Sequence, residues 1–305
     1  MKKLEQFVTM RDGQEIFVRI FEPEHTIGHF HILHGMGEHS GRYESFAEML
    51  CDHGFFVSMH DHRGHGHTAK GDYGYFADEL GFHKVVTDVL EVLKYVRMRV
   101  DVPLTLFGHS MGSFIARRFI QLYSNQVDRC ILCGTGTTTA LHIAGNKLAL
   151  ALVKTQGPRM ESKLMNDLSF GSFNKAFKLP KTAFDWLCSD EKEVQKYIDD
   201  PMCGFIATNQ FFADLTEGLL LINRKEEISR MRTDLPILFI SGSEDPVGNA
   251  GQGVFKVASK MTEVGMENVG VYLFEGMRHE ILNEKNKQHV YDVIIRWLKH
   301  DKQKI

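Results

Sequence analysis

The chain has 305 residues, and its hydrophobic fraction of 43% and charged fraction of 25% are typical of a globular protein that builds a core without disulfide bonds. A net charge of -3 without any long run of lysine and arginine argues against a nucleic-acid-binding protein. The five cysteines are an odd number, and no signal-peptide-like stretch or membrane-spanning apolar segment is apparent, so we expect free thiols and a cytoplasmic location.

The predicted elements begin with a β-hairpin. The segments "EQFVTM" and "EIFVRIFEP" flank "RDGQ", whose Asp-Gly pair is typical of a tight turn. Six further apolar runs follow, namely "HFHILHG", "FFVSMHDHRG", "PLTLFGHS", "RCILCGTG", "PILFISGSED" and "VGVYLFEG". Helical segments such as "HKVVTDVLEVLKYVRMRV" lie between them. The alternation predicts an α/β fold with a mostly parallel eight-stranded sheet that carries the hairpin at its edge.

Two stretches are rich in residues that can bind metals. "HDHRGHGHT", residues 60–68, contains four histidines, and "DRCILCGTG" contains a C-x-x-C pair at Cys130 and Cys133. Side chains three residues apart on a strand point to opposite faces, so the two thiols cannot share a metal or a local disulfide. The histidines close a strand that should be buried, where Asp61 and Arg63 can hydrogen-bond neighbouring loops. We therefore expect structural roles for both stretches, with no metal or other cofactor.

The fifth predicted strand, "PLTLFGHS", leads into the sharpest motif of the chain. Gly108-His109-Ser110-Met111-Gly112 matches G-x-S-x-G between an apolar strand and a helical segment, the context of a nucleophile elbow. Glycines are needed there because larger side chains would collide with the neighbouring strand and helix. The motif predicts that Ser110 is a catalytic nucleophile at a helix N-terminus, where negative charge is favoured.

After the sixth predicted strand, "RCILCGTG", the strand pattern stops. Residues 137–232 are helical or irregular, so we predict a core formed by residues 1–136 and 233–305 with a helical cap, 137–232, inserted after the sixth strand. Within the cap, "TNQFFADLTEGLLLI" repeats apolar residues at helical spacing. Two interpretations fit this repeat: a helix packed on the core, or an apolar wall for an acyl chain.

The last two strands supply the partners that a nucleophilic serine needs. A base must take the serine proton and a carboxylate must orient the base, in the chain order Ser, Asp or Glu, His. Asp245 follows the seventh strand in "GSED", with Glu244 as the fallback, and His279 follows the eighth strand in "GMRHEILNE". The oxyanion would be bound by the backbone N–H of Met111 and by that of Met36, which lies between two glycines in "HGMGEHSGRY".

Taken together, "HGMGEHSGRYESFAEML", "DHRGHGHT", "FGHSMGS", "GSED" and "GMRHEILNE" resemble the monoacylglycerol lipase and lysophospholipase group of α/β-hydrolases. The likeness covers nearly the whole chain outside the cap. It implies the α/β-hydrolase fold, the triad Ser110, Asp245 and His279, and the oxyanion hole of Met36 and Met111. It also implies that Glu38 and Arg42 belong to a substrate-binding polar pocket near the glycerol or alcohol leaving group.

The leading hypothesis is therefore a serine hydrolase that cleaves carboxylic esters of lipids, most simply monoacylglycerol or lysophospholipid, with the apolar cap able to touch a membrane surface transiently. A general or cinnamoyl-type carboxylesterase is an alternative. A serine aminopeptidase is another, and it would need an acidic cap residue such as Glu161, Asp167, Asp185 or Glu217 to hold the substrate ammonium. A non-catalytic binding protein of the same fold is disfavoured, because such proteins usually lack a triad member.

Overall fold

An eight-stranded sheet forms the centre of the computed structural model, which describes residues 1–300. The strands are β1 (Lys2–Thr9), β2 (Glu15–Glu22), β3 (Gly28–Leu33), β4 (Phe55–His60), β5 (Leu104–His109), β6 (Arg129–Cys133), β7 (Ile237–Gly242) and β8 (Val269–Phe274). Their order is β1-β2-β4-β3-β5-β6-β7-β8. The β1–β2 and β2–β4 pairs are antiparallel and all others are parallel. The predicted sheet, with its hairpin at one edge, is confirmed.

Helices cover both faces of this sheet. They are α1 (Glu44–Asp52), α2 (Gly66–Ala69), α3 (Gly81–Arg97), α4 (Met111–Tyr123), α5 (Ala140–Gln156), α6 (Lys163–Phe170), α7 (Glu191–Asp199), α8 (Asn209–Ile222), α9 (Lys225–Ile228), α10 (Gln252–Glu263) and α11 (Lys287–His300). Helices α3, α4 and α10 pack on one face, and α1 and α11 pack on the other. Every residue of β3, β4, β5 and β7 is buried, as expected for parallel strands covered on both sides.

The C-x-x-C pair follows the alternation of its strand. Cys130 belongs to the core on one face of the sheet and Cys133 to the core on the other. Cys51, Cys130, Cys133, Cys188 and Cys203 are all free thiols, as predicted.

The described segment between β6 and β7 contains helices α5 to α9 and one isolated β-bridge, between Glu161 and Thr208. The predicted division into a core and a cap stays a prediction, but the helical character of this segment is what the sequence indicated. In α8 the repeated apolar residues are buried in the main core, so packing on the core is the interpretation that the structure favours; these residues are Phe211, Phe212, Leu215, Leu219 and Ile222. No helix in residues 1–300 is both long and apolar enough to cross a membrane.

The parallel strands bring the candidate residues to one edge of the sheet. Ser110 directly follows β5, Asp245 follows β7 by three residues, and His279 follows β8 by five. The loop that carries Met36 follows β3. Open α/β sheets place their ligand sites beyond the carboxyl ends of the strands, and this edge is therefore where a reaction would occur.

Candidate active site

Ser110 lies on the tight turn between β5 and α4. Its backbone angles, φ 52° and ψ -119°, are rare for a residue with a side chain. A Cβ atom on Gly108 would lie 2.3 Å from the carbonyl oxygen of Gly112, and one on Gly112 would lie 2.1 Å from the carbonyl oxygen of Leu33. The two motif glycines are thus needed for the reason that the sequence suggested, since any side chain there would overlap backbone.

His279 and Asp245 form a buried pair. His279 Nδ1 lies 2.9 and 3.0 Å from the two carboxylate oxygens of Asp245. The same carboxylate accepts hydrogen bonds from Ser241 Oγ at 3.0 Å and from the Val247 backbone N–H at 2.9 Å. The fallback residue Glu244 is exposed, so the geometry selects Asp245 as the partner of the imidazole.

The imidazole of His279 lies beside the Ser110 turn. The Ser110 N–H donates to the carbonyl of Cys133 at 2.9 Å, and a Cβ on the next residue, Gly134, would lie 2.9 Å from His279 Cε1. The rings of His109 and His279 are 4.6 Å apart. Among the described residues no hydrogen bond joins the Ser110 hydroxyl to His279; in enzymes, hydrogen bonds between a catalytic group and its base are often long without substrate and shorten in the reactive complex.

The ionisation of this pair suits base catalysis. Burial alone would lower the pKa of His279, but the neighbouring Asp245 carboxylate outweighs burial and raises it. Burial alone would raise the pKa of Asp245, but the charge of His279 and the hydrogen bonds to the carboxylate lower it. Burial, followed by the charge of His279, lowers the pKa of His109 to about 4, so this neighbouring ring is neutral. Asp245 therefore stays ionised beside an imidazole that readily accepts a proton.

Two backbone N–H groups next to Ser110 are free to bind an oxyanion. Within the described residues, neither the Met36 N–H nor the Met111 N–H donates a hydrogen bond. A Cβ on Gly35 would lie 3.2 Å from Ser110 Cβ, which places the loop after β3 against Ser110. Both N–H groups accordingly stand at the turn from which Ser110 would attack.

Glu38 and Arg42 contact each other rather than extending into open space. Arg42 Nη1 donates to Glu38 Oε2 at 2.9 Å, and the Tyr43 hydroxyl donates to Glu38 Oε1 at 2.7 Å. The Arg42 guanidinium also donates to both oxygens of Glu280, at 2.5 and 2.8 Å. These residues and His109 line a cavity of about 250 Å³. Their contact with a leaving group stays a prediction.

Sequence reasoning missed three residues of the site. Glu280 pairs with Arg42, Ser241 donates to Asp245, and the indole of Trp186 lies 5.2 Å from the His279 ring. Glu280 directly follows His279, and Trp186 is one of only two tryptophans, so both stood out as residues. Nothing in their spacing, however, tied them to Ser110.

The histidine-rich stretch fastens the loop after β4 to its neighbours. The buried Asp61 carboxylate accepts from the Ser40 N–H and the His67 N–H, both at 2.8 Å. The Arg63 guanidinium donates to the two oxygens of Asp88 at 2.6 and 2.7 Å. Since Ser40 belongs to the loop after β3, these contacts support the loop that carries Met36.

One group of three residues has the donor atoms to hold a metal ion within the part of the chain that the structure describes. It comprises His39, Asp200 and Cys203, whose donor atoms all lie within 4.8 Å of one another. The Gly41 N–H donates to His39 Nδ1, which leaves Nε2 as the protonated nitrogen that donates to Asp200 at 2.9 Å. Burial raises the pKa of the Cys203 thiol, whereas a metal ligand must be a thiolate. A hydrogen-bonded pair beside a neutral thiol therefore accounts for this group.

The acidic residues considered for ammonium binding, all in the segment between β6 and β7, lie in ordinary surroundings. Glu161, Asp167 and Glu217 are exposed, and Asp167 pairs with Lys163 at 2.6 Å. Asp185 accepts hydrogen bonds from the backbone N–H groups of Lys181 and Thr182. None of these contacts favours an aminopeptidase.

Comparison with known proteins gives one family and several relatives. Residues 24–286 match the family model described as "Serine aminopeptidase, S33". The monoglyceride lipase of Rattus norvegicus is 26% identical over 295 residues, which cover 95% of this chain and 88% of that protein. The monoglyceride lipase of Homo sapiens is 29% identical over 77% of this chain and 71% of its own length. Among solved structures, a thermostable carboxyl esterase from Bacillus coagulans in complex with glycerol superposes with a TM-score of 0.92 at 28% identity, over 98% of this chain and 99% of that one.

Proposed function

We propose that this chain, which belongs to the family described as "Serine aminopeptidase, S33", is a serine hydrolase that cleaves carboxylic esters of lipids, with monoacylglycerol or lysophospholipid as substrate. Its relatives confirm the broader part of this assignment, namely a carboxylic ester hydrolase with the α/β-hydrolase fold. A glycerol ester is the simplest substrate, since two relatives are monoglyceride lipases and the Bacillus coagulans esterase was solved with glycerol.

One observation carries the proposed mechanism: the buried His279–Asp245 pair lies beside a serine that is held on a strained turn. In the proposed reaction, Ser110 Oγ attacks the ester carbonyl while His279 Nε2 takes its proton. Asp245 holds Nδ1–H and stabilises the imidazolium, and the N–H groups of Met36 and Met111 donate to the oxyanion. His279 then protonates the leaving alcohol. A water molecule, deprotonated by His279, releases the carboxylic acid from Ser110.

The cap surface fits contact with a lipid aggregate. Several large apolar side chains are exposed on or near α5 and α6, namely Leu141, Ile143, Leu150, Met160, Leu164, Leu168 and Leu179. The same segment, residues 140–181, has seven basic and two acidic residues, although the whole chain is slightly acidic. Apolar side chains among basic ones favour a surface that carries anionic lipids. We propose that the cap meets the membrane surface through these residues while substrate enters.

The decisive experiment measures fatty acid release from monoacylglycerol by the wild type and by Ser110→Ala. We expect Ser110→Ala to lose roughly four to six powers of ten in kcat, because the nucleophile acts as a unit with its base. The exposed Ser229 provides the matched control, since Ser229→Ala removes a hydroxyl of the same chemistry at the end of α9. A fluorophosphonate probe should label the wild type and Ser229→Ala but not Ser110→Ala. Near-normal turnover by Ser110→Ala would overturn the mechanism.

A substrate panel separates the remaining candidates. It contains p-nitrophenyl esters from two to sixteen carbons, monoacylglycerol, lysophosphatidylcholine, a cinnamoyl ester and an aminoacyl anilide. The proposal requires the highest kcat/KM on a long-chain glycerol ester. A preference for the cinnamoyl ester or the anilide would instead identify an aromatic esterase or an aminopeptidase.

A further inference from the structure

A buried cluster of three ionised groups joins two loops of the proposed active site. Glu38 belongs to the loop after β3, which carries Met36, and Glu280 directly follows His279. Arg42 lies between them and donates to both carboxylates. Glu38 and Glu280 are only 3% and 5% exposed, so water screens these contacts little. One guanidinium thus connects segments that are 238 residues apart in the chain.

At its first end the cluster fixes the oxyanion loop. Glu38 Oε1 accepts from the Gly35 N–H at 2.6 Å. A Cβ on Gly35 would lie 2.7 Å from this oxygen and 3.2 Å from Ser110 Cβ, so the carboxylate and the nucleophile contact the same glycine. Any shift of the Glu38 carboxylate would move Gly35 and, with it, the adjacent Met36 N–H.

At its second end the cluster fixes the loop of His279. The Glu280 N–H donates to the carbonyl of Leu187 at 2.7 Å, and Asn283 Nδ2 donates to Glu280 Oε2 at 3.0 Å. Leu187 is the neighbour of Trp186, whose indole packs on the His279 ring. The Glu280 side chain and backbone therefore hold the imidazole loop between Arg42 and the helical segment.

The cluster carries a net negative charge close to His279. Burial alone would raise the pKa of Glu38 and of Glu280, but Arg42 outweighs burial and lowers both, so both are ionised. Two carboxylates against one guanidinium leave one uncompensated negative charge. The other titratable groups that face His279 are Asp245, from the loop after β7, and the neutral His109 from the Ser110 turn. The Arg278 guanidinium points away, toward the Phe177 ring and the carbonyls of Asp185 and Cys188.

We propose that Glu280 is a positioning residue for ester hydrolysis: through Arg42 and Glu38 it holds the Met36 N–H in place, and its charge stabilises the His279 imidazolium. This role rests on the proposed serine mechanism. It differs from a role of Glu38 and Arg42 in binding the leaving group, because it acts on turnover rather than on substrate affinity. The substrate need not touch Glu280 at all.

The test compares kcat, KM and the pH profile of kcat/KM for Glu280→Gln, Glu280→Asp and the wild type, with Glu284→Gln as the matched control. Glu284 is an equally buried carboxylate of the same loop, but it accepts from Ser189 and from the Arg278 N–H and does not contact Arg42. For Glu280→Gln we expect kcat to fall about tenfold or more with little change in KM. The acidic limb of its profile should move to lower pH by about half a unit, since losing a negative charge makes the imidazolium less stable. Glu280→Asp keeps the negative charge, so the acidic limb of its pH profile should stay at the wild-type pH.

Glu284→Gln should lower the unfolding temperature and leave the limb in place. If Glu280→Gln does not fold, Glu38→Gln removes the same charge from the other side of Arg42 and should shift the limb in the same direction. An unshifted limb in a folded Glu280→Gln or Glu38→Gln variant, or an equal shift in Glu284→Gln, would overturn the positioning role. Failure of the serine mechanism itself is distinguishable, because the wild type would then not react with a fluorophosphonate probe at Ser110.

Discussion

At the scale of single residues, Ser110 adopts a backbone conformation that costs on the order of 1–3 kcal/mol in a residue with a side chain. The surrounding chain compensates for this strain. The Ser110 N–H donates to the carbonyl of Cys133, and the Ser110 carbonyl accepts from the N–H groups of Ser113 and Phe114 at the start of α4. Such strain persists where the surroundings over-determine it, and here backbone hydrogen bonds on both sides of Ser110 hold the conformation.

The glycines of this turn give a prediction about packing. Gly112→Ala should fold poorly or lose activity, because its Cβ would lie 2.1 Å from the Leu33 carbonyl oxygen in the centre of the sheet. Gly270→Ala in β8 is the matched control, because the nearest atom to its Cβ is a side-chain carbon at 3.5 Å. Thermal unfolding and fluorophosphonate labelling measure the difference. We expect a loss of about 3 kcal/mol or more for Gly112→Ala and under about 1 kcal/mol for Gly270→Ala. Equal stability of the two variants would contradict the steric explanation.

The His279–Asp245 pair gives a prediction about pH. The imidazole must be neutral to accept the Ser110 proton, so kcat/KM should fall as the pH drops through the raised pKa of His279. Asp245→Asn should reduce kcat by roughly 10⁴-fold, because an amide no longer holds the correct tautomer or stabilises the imidazolium. Glu244→Gln is the control, since it changes the exposed neighbour in the same turn. If Glu244→Gln lost as much activity as Asp245→Asn, the orienting carboxylate would be misassigned.

Some residues of the candidate site were predictable because a short stretch of sequence around each of them indicates its role. Ser110 sits in a motif, and Asp245 and His279 each follow a strand in the order that the mechanism needs. Neither Glu280 nor Trp186 lies in a sequence motif that indicates a role in the site. Their contacts depend on how the loop after β3 and the segment after α6 fold onto the His279 loop, which periodicity does not describe.

At the scale of elements, the strands were predictable and the arrangement of the inserted helices was not. The central strand β7 is an apolar run that ends in serine and glycine, and this pattern is typical of parallel strands covered on both faces. The sequence of an apolar helix does not indicate which of its side chains are buried and which are exposed. Helix α8 buries Phe211 in the core, whereas the neighbouring α5 leaves Leu141 81% exposed, although both are apolar in sequence.

The exposed apolar side chains of α5 and α6, in the predicted cap, give a prediction about membranes. Leu141→Glu combined with Leu168→Glu should weaken co-sedimentation with vesicles of anionic phospholipid by about tenfold, because each change replaces an exposed apolar side chain with a charge that anionic lipid repels. Hydrolysis of a short, dissolved p-nitrophenyl ester should be unchanged.

Phe255, which is half-exposed on α10 outside the inserted segment, is the matched control for this surface. Phe255→Glu should bind the vesicles like the wild type. Unchanged binding by the Leu141 and Leu168 double variant, or an equal loss by Phe255→Glu, would show that the cap is not the contact surface.

At the scale of the whole molecule, a line of buried histidines runs through the sheet toward the oxyanion loop. Ser58 Oγ joins the rings of His29 and His31 at 2.7 and 2.6 Å, and His31 continues to His60 at 3.1 Å. At the far end, His34 Nδ1 bonds the Gly35 carbonyl at 2.7 Å, beside Met36. Such rings are stable in the core only while they are neutral, so the scaffold of the site depends on their staying unprotonated.

Burial is the main cause that lowers the pKa of eight imidazoles, these and others: His29 to about 3, His65 to about 3 and His109 to about 4, together with His31, His34, His60, His62 and His142. In the unfolded chain they take up protons near their ordinary pKa of about 6.5. Below that pH the unfolded state binds more protons than the folded state. The stability that these neutral imidazoles contribute is therefore fully present above pH about 6.5 and is lost as the pH falls toward the folded pKa values. Three groups oppose this trend: His279, whose pKa is raised, and Asp88 and Asp214, whose pKa values burial raises to about 6.

Eight groups against three predict a net loss of stability on mild acidification, of roughly 1 kcal/mol for each uncompensated imidazole between pH 7.5 and 5.5. His62→Leu tests this account, because neither ring nitrogen of His62 has a hydrogen-bond partner among the described residues, so the change leaves no other group unpaired. Denaturant unfolding at the two pH values should show that His62→Leu loses less stability than the wild type, corresponding to about one proton fewer taken up on unfolding. His53→Gln, at an exposed position, should match the wild-type loss. Equal losses in His62→Leu and the wild type would mean that the buried imidazoles do not govern acid stability, and that another set of groups takes up the protons.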